Sequence, residues 1–264
     1  MRGAETVRTS TDGRIAIVTI DRPEVRNAVD RSTALQLERA FLEFDADDKL
    51  DIAVLTGAGH QFCAGADLKA IAASEGDAAR ANPLDEDLSH VAPMGPTRLA
   101  LRKPVIAAIA GHAVAGGLEL ALWCDLRVAD ESAVLGVYCR RWGVPLIDGG
   151  TVRLPRLIGE SRAMDLVLTG RAVSAREALE IGLVNRLVPT GQALPASLAL
   201  AREVAAFPQG CLRNDRQSLK AQSGLAWRDA MAEEFRLGML TLASGEAVAG
   251  GQAFGRRDRT RSSR

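Results

Sequence analysis

The sequence predicts an α/β fold that ends in a helical region. Three short segments, residues 14–20, 52–57 and 105–110, are rich in β-branched and apolar residues and are bounded by turn residues. They are apolar along almost their whole length, which is typical of strands buried on both faces of a sheet, and helical segments alternate with them. After Arg153 the pattern is helical. The 264 residues predict one large domain, or one domain with an appendage.

The remaining elements follow from residue periodicity. Residues 33–45 are a predicted helix because apolar residues recur at helical spacing, with Ser32 as the predicted N-cap. Residues 74–96 are polar, contain three prolines and are predicted to form a mobile loop. The other predicted strands are 126–129 and 133–137, and the other predicted helices are 116–125, 161–169, 174–181, 193–206 and 225–243.

Composition argues against several classes of function. The chain has 33 basic and 33 acidic residues, so no bulk field favours a nucleic acid or a membrane surface. The most apolar region, residues 105–122, contains two adjacent glycines and Glu119 and is predicted to form a strand, a turn and a helix rather than a membrane span. The four cysteines show no CxxC or metal-like spacing, which favours reduced thiols in a cytoplasmic protein. The N-terminal residues lack the apolar core of a secretory signal.

Two glycine-centred segments carry the chemical signal. GHQFCAGADLKA covers residues 59–70, and KPVIAAIAGHAVAGGLELALWCD covers residues 103–125. Each is an apolar run that ends in small residues and then becomes helical, so each presents the unpaired N–H groups of a helix start. Two such ends aimed at one oxygen would stabilise developing negative charge. Glu119 follows the second glycine pair in an otherwise apolar stretch, where a carboxylate is costly to bury.

These segments resemble the enoyl-CoA hydratase/isomerase (crotonase) superfamily. Three further segments match in the family's order: DGRIAIVTIDRPEVRNAVD, PLIDGGTVRLPRLIG and TGRAVSAREALEIGLVNRLVP. The resemblance implies a spiral of ββα units over residues 1–190, with the substrate site, and a helical region over residues 191–264 for subunit packing. It implies acyl-CoA substrates and a homotrimer or a dimer of trimers, with no nucleic-acid or membrane partner.

The resemblance also implies roles for individual residues. The N–H groups of Ala66 and Gly116 would hold a thioester oxygen, and Glu119 matches one of two glutamates that handle water and protons in family hydratases. Coenzyme A is part of the substrate, and no metal or redox cofactor is expected. The residues expected along coenzyme A are Arg26, Ala28, Ala64, Asp67, Leu68 and, near a phosphate, Lys69.

Three assignments stay open. Arg26 fits an exposed surface charge equally well. The C-terminal GRRDRTRSSR, with five arginines and one aspartate, is expected to be a disordered tail, or else to offer Arg256 or Arg257 to a phosphate of the ligand. His112 is expected to be a hydrogen-bonded structural histidine.

One residue departs from the family pattern. The second hydratase glutamate aligns with Cys139, and a thiol is a poor general acid or base near neutral pH. Either Glu119 serves alone, or another residue replaces the glutamate, or the protein does not hydrate. Asp148 is the candidate replacement, and its alternative role is the N-cap of a helix. The neighbouring residues 140–142 (Arg-Arg-Trp) are read as surface or subunit-contact residues, or else as selecting a polar acyl group.

Three hypotheses about function remain. The first is hydration of trans-2-enoyl-CoA thioesters to 3-hydroxyacyl-CoA. The second is double-bond isomerisation, since a single glutamate can remove and return one proton, although family isomerases usually keep the glutamate that Cys139 replaces. The third is an acyl-CoA-binding protein without turnover.

Overall fold

The structure is a computed structural model that describes residues 5–75, 77 and 81–261. It divides into two compact units, Met1–Arg202 and Glu203–Arg264. The first unit holds both sheets, and the second consists of helices. The division falls within a helix (Ala193–Ala205), twelve residues after the boundary that the sequence suggests at residue 190.

The larger sheet has six strands, and the α/β class is confirmed. The antiparallel pair β1 and β2 forms one edge, and the other neighbouring pairs are parallel, in the order β1-β2-β3-β4-β6-β9. A smaller sheet has the order β5-β7-β8. The strands are β1 (Val7–Asp12), β2 (Ile15–Ile20), β3 (Ile52–Gly57), β4 (Val105–Ile109), β5 (His112–Val114), β6 (Leu126–Asp130), β7 (Val134–Gly136), β8 (Val173–Ser174) and β9 (Arg186–Val188). All five residues of β4 are buried, as the apolar run predicts.

The described residues form ten α-helices. Those of the first unit are α1 (Arg31–Ala46), α2 (Leu68–Ala73), α3 (Gly116–Trp123), α4 (Gly150–Ile158), α5 (Glu160–Thr169), α6 (Ala175–Glu180) and α7 (Ala193–Ala205), which crosses the division. Those of the second unit are α8 (Gln209–Ala221), α9 (Trp227–Ala243) and α10 (Glu246–Arg261). Within the described residues, none of these helices is both long enough and apolar enough to cross a bilayer.

Helices α8 and α10 and strands β1, β5, β8 and β9 were not predicted, and α4 was predicted only as the helix that Asp148 would cap. Helix α4 starts at Gly150 and contains Pro155, two residues that oppose helix formation locally. Burial of Leu154 and Ile158 outweighs this local preference. Helix α8 has no fully buried residue, so it has no buried face that a sequence pattern could indicate.

The expectation of a disordered basic tail is wrong as far as Arg261, because α10 continues through it. The start of this helix is held within the second unit. The Glu246 carboxylate accepts hydrogen bonds from the backbone N–H groups of Gly210 and Cys211, at 2.9 and 2.7 Å. Residues 262–264 lie outside the described residues, and so does the side chain of Arg257.

The predicted N-cap of α1 is also wrong. Asp30, not Ser32, caps the helix: its Oδ1 accepts from the Thr33 backbone N–H and from Thr33 Oγ1, both at 2.8 Å. Asp30 also forms an ion pair with Arg22 at 3.2 Å. The helix therefore begins at Arg31, and Ser32 lies within its first turn, where its Oγ accepts a hydrogen bond from Gln36.

This correction predicts a difference in stability between two variants. Asp30→Ala should lower the free energy of unfolding by about 1 kcal/mol, because it leaves helix N–H groups without an acceptor. Ser32→Ala is the matched control and should change it by less than about 0.5 kcal/mol. Urea unfolding measures the free energy of unfolding of both variants. Equal losses in the two variants would contradict the assignment of Asp30 as the N-cap.

Candidate active site

A cavity of about 570 Å³ opens at the N-terminal end of α3. This volume lies in the range of small-molecule sites. Most of its lining is apolar. Two segments that are far apart in the sequence, residues 81–94 and 138–148, contribute to the lining. Eight of the predicted site residues line it: Arg26, Ala64, Ala66, Leu68, Gly116, Glu119, Cys139 and Asp148.

The two glycine-centred segments are joined by backbone hydrogen bonds. The Cys63 N–H donates to the His112 carbonyl at 2.8 Å, and the Val114 N–H donates to the Cys63 carbonyl at 3.1 Å. Close contact continues beyond these bonds, since a Cβ added to Gly117 would lie 2.0 Å from the Cys63 carbonyl oxygen. Only glycine permits this approach, so packing requires a glycine at position 117.

The turn at Gly65 lies directly against the start of α3. Gly65 has a positive φ of 97°, and a Cβ placed on it would lie 2.9 Å from the backbone nitrogen of Gly116. Ala115, the N-cap of α3, has φ 55° and ψ −126°, a conformation that costs a non-glycine residue roughly 1–3 kcal/mol. The surrounding backbone therefore holds Ala115 in a strained conformation.

The N–H groups of Ala66 and Gly116 belong to the two segments that meet at the cavity. Both residues line the cavity. Within the described part of the chain, neither N–H has a hydrogen-bond acceptor: Val29 pairs with Gly65 and Asp67 on either side of Ala66, and Gly116 is the first residue of α3. Two unpaired donors beside a cavity can bind one anionic oxygen.

Glu119 is buried, with an exposed fraction of 2 %, and it lines the same cavity. Its Oε1 accepts from the backbone N–H groups of Asp148 and Gly150, at 2.9 and 2.8 Å. Its Oε2 has no partner among the described residues. Burial raises the pKa of Glu119 to about 7, the charge of Asp148 adds to this, and the two N–H donors oppose it. A carboxyl group with this pKa can exchange protons near neutral pH.

Asp148 is a buried carboxylate at the cavity but not a helix cap. Gly149 precedes α4 and no side chain caps that helix. The Asp148 Oδ1 instead accepts from the Met94 backbone N–H at 3.0 Å and from Thr97 Oγ1 at 2.5 Å. Burial raises the pKa of Asp148, and the hydrogen bond from Thr97 opposes this shift. The N-cap alternative is therefore wrong.

Cys139 lies at the cavity in a short 3₁₀ turn, Tyr138–Trp142. Burial raises the pKa of its thiol, and the charge of Glu119 raises it further. The thiol is therefore neutral near pH 7 and does not stand in for a carboxylate. The two arginines that follow it are exposed and point to backbone oxygens: Arg140 donates to the Val167 carbonyl, and Arg141 donates to the Gly170 carbonyl. Trp142, in contrast, lines the cavity with an exposed fraction of 71 %.

The residues expected along coenzyme A divide into two groups. Ala64 and Leu68 line the cavity, and so does Arg26, which is exposed and fits both of its expected roles. The rest do not line it. Asp67 caps α2 and pairs with Arg22 at 3.1 Å, the Ala28 carbonyl accepts a hydrogen bond from Arg22, and Lys69 is exposed on α2.

Several residues at or near the cavity were not predicted to contribute to it. His112 forms the expected structural hydrogen bond, with Nδ1 2.9 Å from Gln61 Oε1, but it also lines the cavity, and burial lowers its pKa. Met94 packs on the start of α3, since a Cβ on Gly116 would lie 2.6 Å from its sulfur. Arg153 holds the loop beside Glu119 by donating to the carbonyls of Asp148 and Thr97. Nothing in the local sequence distinguishes Met94 or Arg153 from ordinary core and surface residues.

Comparison with known proteins identifies the family of this chain. The family model described as enoyl-CoA hydratase/isomerase matches residues 10–259. Enoyl-CoA hydratase EchA19 of Mycobacterium tuberculosis is 36% identical over 251 residues, which cover 92% of this chain and 90% of that protein. The chain belongs to the enoyl-CoA hydratase/isomerase family.

Solved structures agree with this assignment. A crystal structure of an enoyl-CoA hydratase from Mycobacterium tuberculosis has a TM-score of 0.89 and 36% identity, and the match covers 96% of this chain and 97% of that one. The enoyl-CoA hydratase EchA1 of Mycobacterium marinum has a TM-score of 0.88 and 35% identity, with the same coverage. The crotonase-like fold that the sequence predicts is confirmed.

Proposed function

We propose that this chain hydrates trans-2-enoyl-CoA thioesters to 3-hydroxyacyl-CoA. One observation carries the proposal: Ala66 and Gly116, whose backbone N–H groups have no acceptor among the described residues, line one cavity together with the buried carboxylate of Glu119, of which one oxygen has no partner among those residues. Relatives named enoyl-CoA hydratase over most of the chain's length support the same reaction.

The thioester oxygen is held by the Ala66 and Gly116 N–H groups. When a nucleophile adds to C3 of the enoyl group, the electron pair of the double bond moves through C2 to this oxygen, and an enolate forms. Fixed amide donors stabilise the enolate more than the neutral thioester. Loss of one such donor costs roughly 3–4 kcal/mol of transition-state stabilisation in other enzymes.

Glu119 moves the proton. Its ionised form accepts a hydrogen bond from water at Oε2, takes one proton as the water oxygen bonds to C3, and then returns that proton to C2. A single carboxyl group therefore serves as base and then as acid, and both additions occur on the same face of the double bond. This account does not need a second glutamate at position 139, where the buried thiol stays protonated.

The cavity wall suits an acyl-CoA ester. The acyl group would contact apolar residues such as Met94, Leu84 and Ile147, and the pantetheine portion would pass Ala64 and Leu68. Arg26 lies exposed at the cavity, where it can face a phosphate. We propose no resident cofactor, because coenzyme A belongs to the substrate. A phosphate contact from Arg257 of a neighbouring subunit remains part of the proposal.

Double-bond isomerisation is the second candidate. Glu119 Oε2, which has no partner among the residues that the structure describes, favours it, because a 1,3-proton shift needs one base that removes a proton and returns it. A binding protein without turnover is the third reading, and the replacement of a glutamate by Cys139 is its only support.

One assay separates these readings. Wild-type protein given 2-enoyl-CoA thioesters should form products heavier by one water, whereas a 3-enoyl-CoA thioester that gives an isomer of equal mass would indicate isomerase.

Because Glu119 must be ionised to act as a base, kcat/KM should rise as pH increases through about 7. Glu119→Gln should lower kcat at least about 100-fold and leave affinity for the CoA ester nearly unchanged. Full activity in this variant would remove Glu119 from its role.

Two glycine substitutions, one at the site and one far from it, test the proposed oxyanion hole. Gly65→Ala puts a methyl group 2.9 Å from the Gly116 nitrogen and should lower kcat about 100-fold. Gly13→Ala is the matched control: φ is also positive there, at 58°, but a Cβ meets nothing within 4 Å. Both variants should lose stability, and only Gly65→Ala should lose kcat. Equal kcat in the two would rule out the arrangement.

We also propose a homotrimer or a dimer of trimers in the cytoplasm. Large apolar side chains of α9 are exposed, Trp227 by 80 % and Phe235 by 71 %, which supports burial in a subunit interface. The spacing of the four cysteines, which predicts reduced thiols, supports the cytoplasm. Light scattering should give a mass of three or six chains, and Trp227→Ser with Phe235→Ser should lower it. A monomeric wild type would contradict this.

A further inference from the structure

Asp148 contacts Glu119 through its backbone and the opposite wall through its side chain. Its N–H donates to Glu119 Oε1 at 2.9 Å, beside the Gly150 N–H at 2.8 Å. The fit is tight, because a Cβ added to Gly150 would lie 2.9 Å from the same oxygen. The rotation of the Glu119 carboxyl group is therefore fixed by the backbone of residues 148–150.

The side chain of Asp148 fixes the other side of the cavity. Its Oδ1 accepts from the Met94 N–H at 3.0 Å and from Thr97 Oγ1 at 2.5 Å. Met94 in turn packs on Gly116, one of the two proposed oxygen-binding residues. One residue thus connects the loop that holds the carboxyl group with the segment that covers the proposed oxyanion hole.

The charge of Asp148 is buried without a direct ion pair among the described residues. Its exposed fraction is 5 %. Arg153 lies close, but its Nη1 and Nη2 donate to the backbone carbonyls of Asp148 and Thr97, at 2.8 and 2.7 Å, rather than to the carboxylate. The Asp148 Oδ2 has no partner in the described part of the chain, and two carboxyl groups therefore share one poorly solvated region.

We propose that Asp148 is the positioning residue of this site: it orients Glu119 through its N–H, anchors Met94 and Thr97 through its carboxylate, and places a second acidic group beside Glu119. The inference rests on the proposed function, in which Glu119 is the base. Asp148 itself need not touch the substrate. It supplies the second acidic group that position 139 lacks, and it acts through Glu119.

Other titratable groups face this pair, and their effects are separable. Asp148 raises the pKa of Glu119, whereas Arg153 on α4 lowers the pKa of both carboxyl groups and Arg98 lowers that of Asp148. Cys139 is neutral near pH 7 and contributes no charge there. A change at Asp148 alone therefore alters one negative charge next to Glu119.

The first experiment is Asp148→Asn in the full chain. Its amide oxygen can still accept from Met94 and Thr97, so geometry is kept while the charge is removed. The Glu119 carboxyl stretch, identified in infrared difference spectra against Glu119→Gln, should titrate roughly one pH unit lower than in wild type. The acid limb of kcat/KM should move down with it. Asp85→Asn, an exposed aspartate, is the control and should move neither. An unchanged Glu119 titration in Asp148→Asn would overturn the proposal.

The second experiment tests anchoring. Asp148→Ala leaves Met94 and Thr97 without their acceptor and should lower kcat about tenfold or more with KM nearly unchanged, since the binding surface remains. Thr97→Val, which keeps the aspartate and the side-chain shape, should lower kcat severalfold and serves if Asp148→Ala does not fold. Wild-type kcat in Thr97→Val would contradict the anchoring role.

The infrared titration separates this inference from the proposed function. It reads the Glu119 carboxyl group without turnover. A shifted titration in a protein that converts no thioester would keep Asp148 as the positioning residue and reject the hydratase proposal. Normal hydration with an unshifted titration would keep the hydratase proposal and reject Asp148 as the positioning residue.

Discussion

The whole site depends on the contact between the turn at Gly65 and the start of α3. Backbone hydrogen bonds join Cys63 to His112 and Val114, and glycines at 65 and 117 let the two backbones come within contact distance. Larger side chains at these glycines would separate the Ala66 and Gly116 N–H groups. The same contact forces Ala115 into a strained conformation, which is typical of residues that a surrounding structure holds for function.

The second constraint is the burial of two carboxyl groups at one cavity. An ionised carboxylate away from water is unstable unless donors surround it, and here backbone N–H groups supply most of them. Each carboxyl group has one oxygen engaged by donors and one without a partner among the described residues. Mutual repulsion makes the first proton bind more tightly, which is the property a proton carrier needs near neutral pH.

The replacement of a glutamate by Cys139 gains a physical meaning in this setting. The thiol is buried and neutral, so it adds volume and apolar surface to the cavity rather than charge. In the proposed mechanism Glu119 transfers the proton, and the negative charge that raises its pKa comes from Asp148 on a different loop. The chain thus keeps two acidic groups at the cavity while changing the position from which one of them acts.

The sequence alone predicted the α/β class, most strands of the main sheet and the candidates Ala66, Gly116 and Glu119, whose roles stay predictions. These are local signals: apolar runs, glycine pairs and a carboxylate in an apolar helix identify themselves within a few residues. The capping of α1 by Asp30 and the hydrogen bonds of Asp148 to Met94 and Thr97 depend on the tertiary structure and could not be predicted from the sequence. Asp148 lies more than fifty residues from those two partners in the sequence, and packing rather than local preference brings them together.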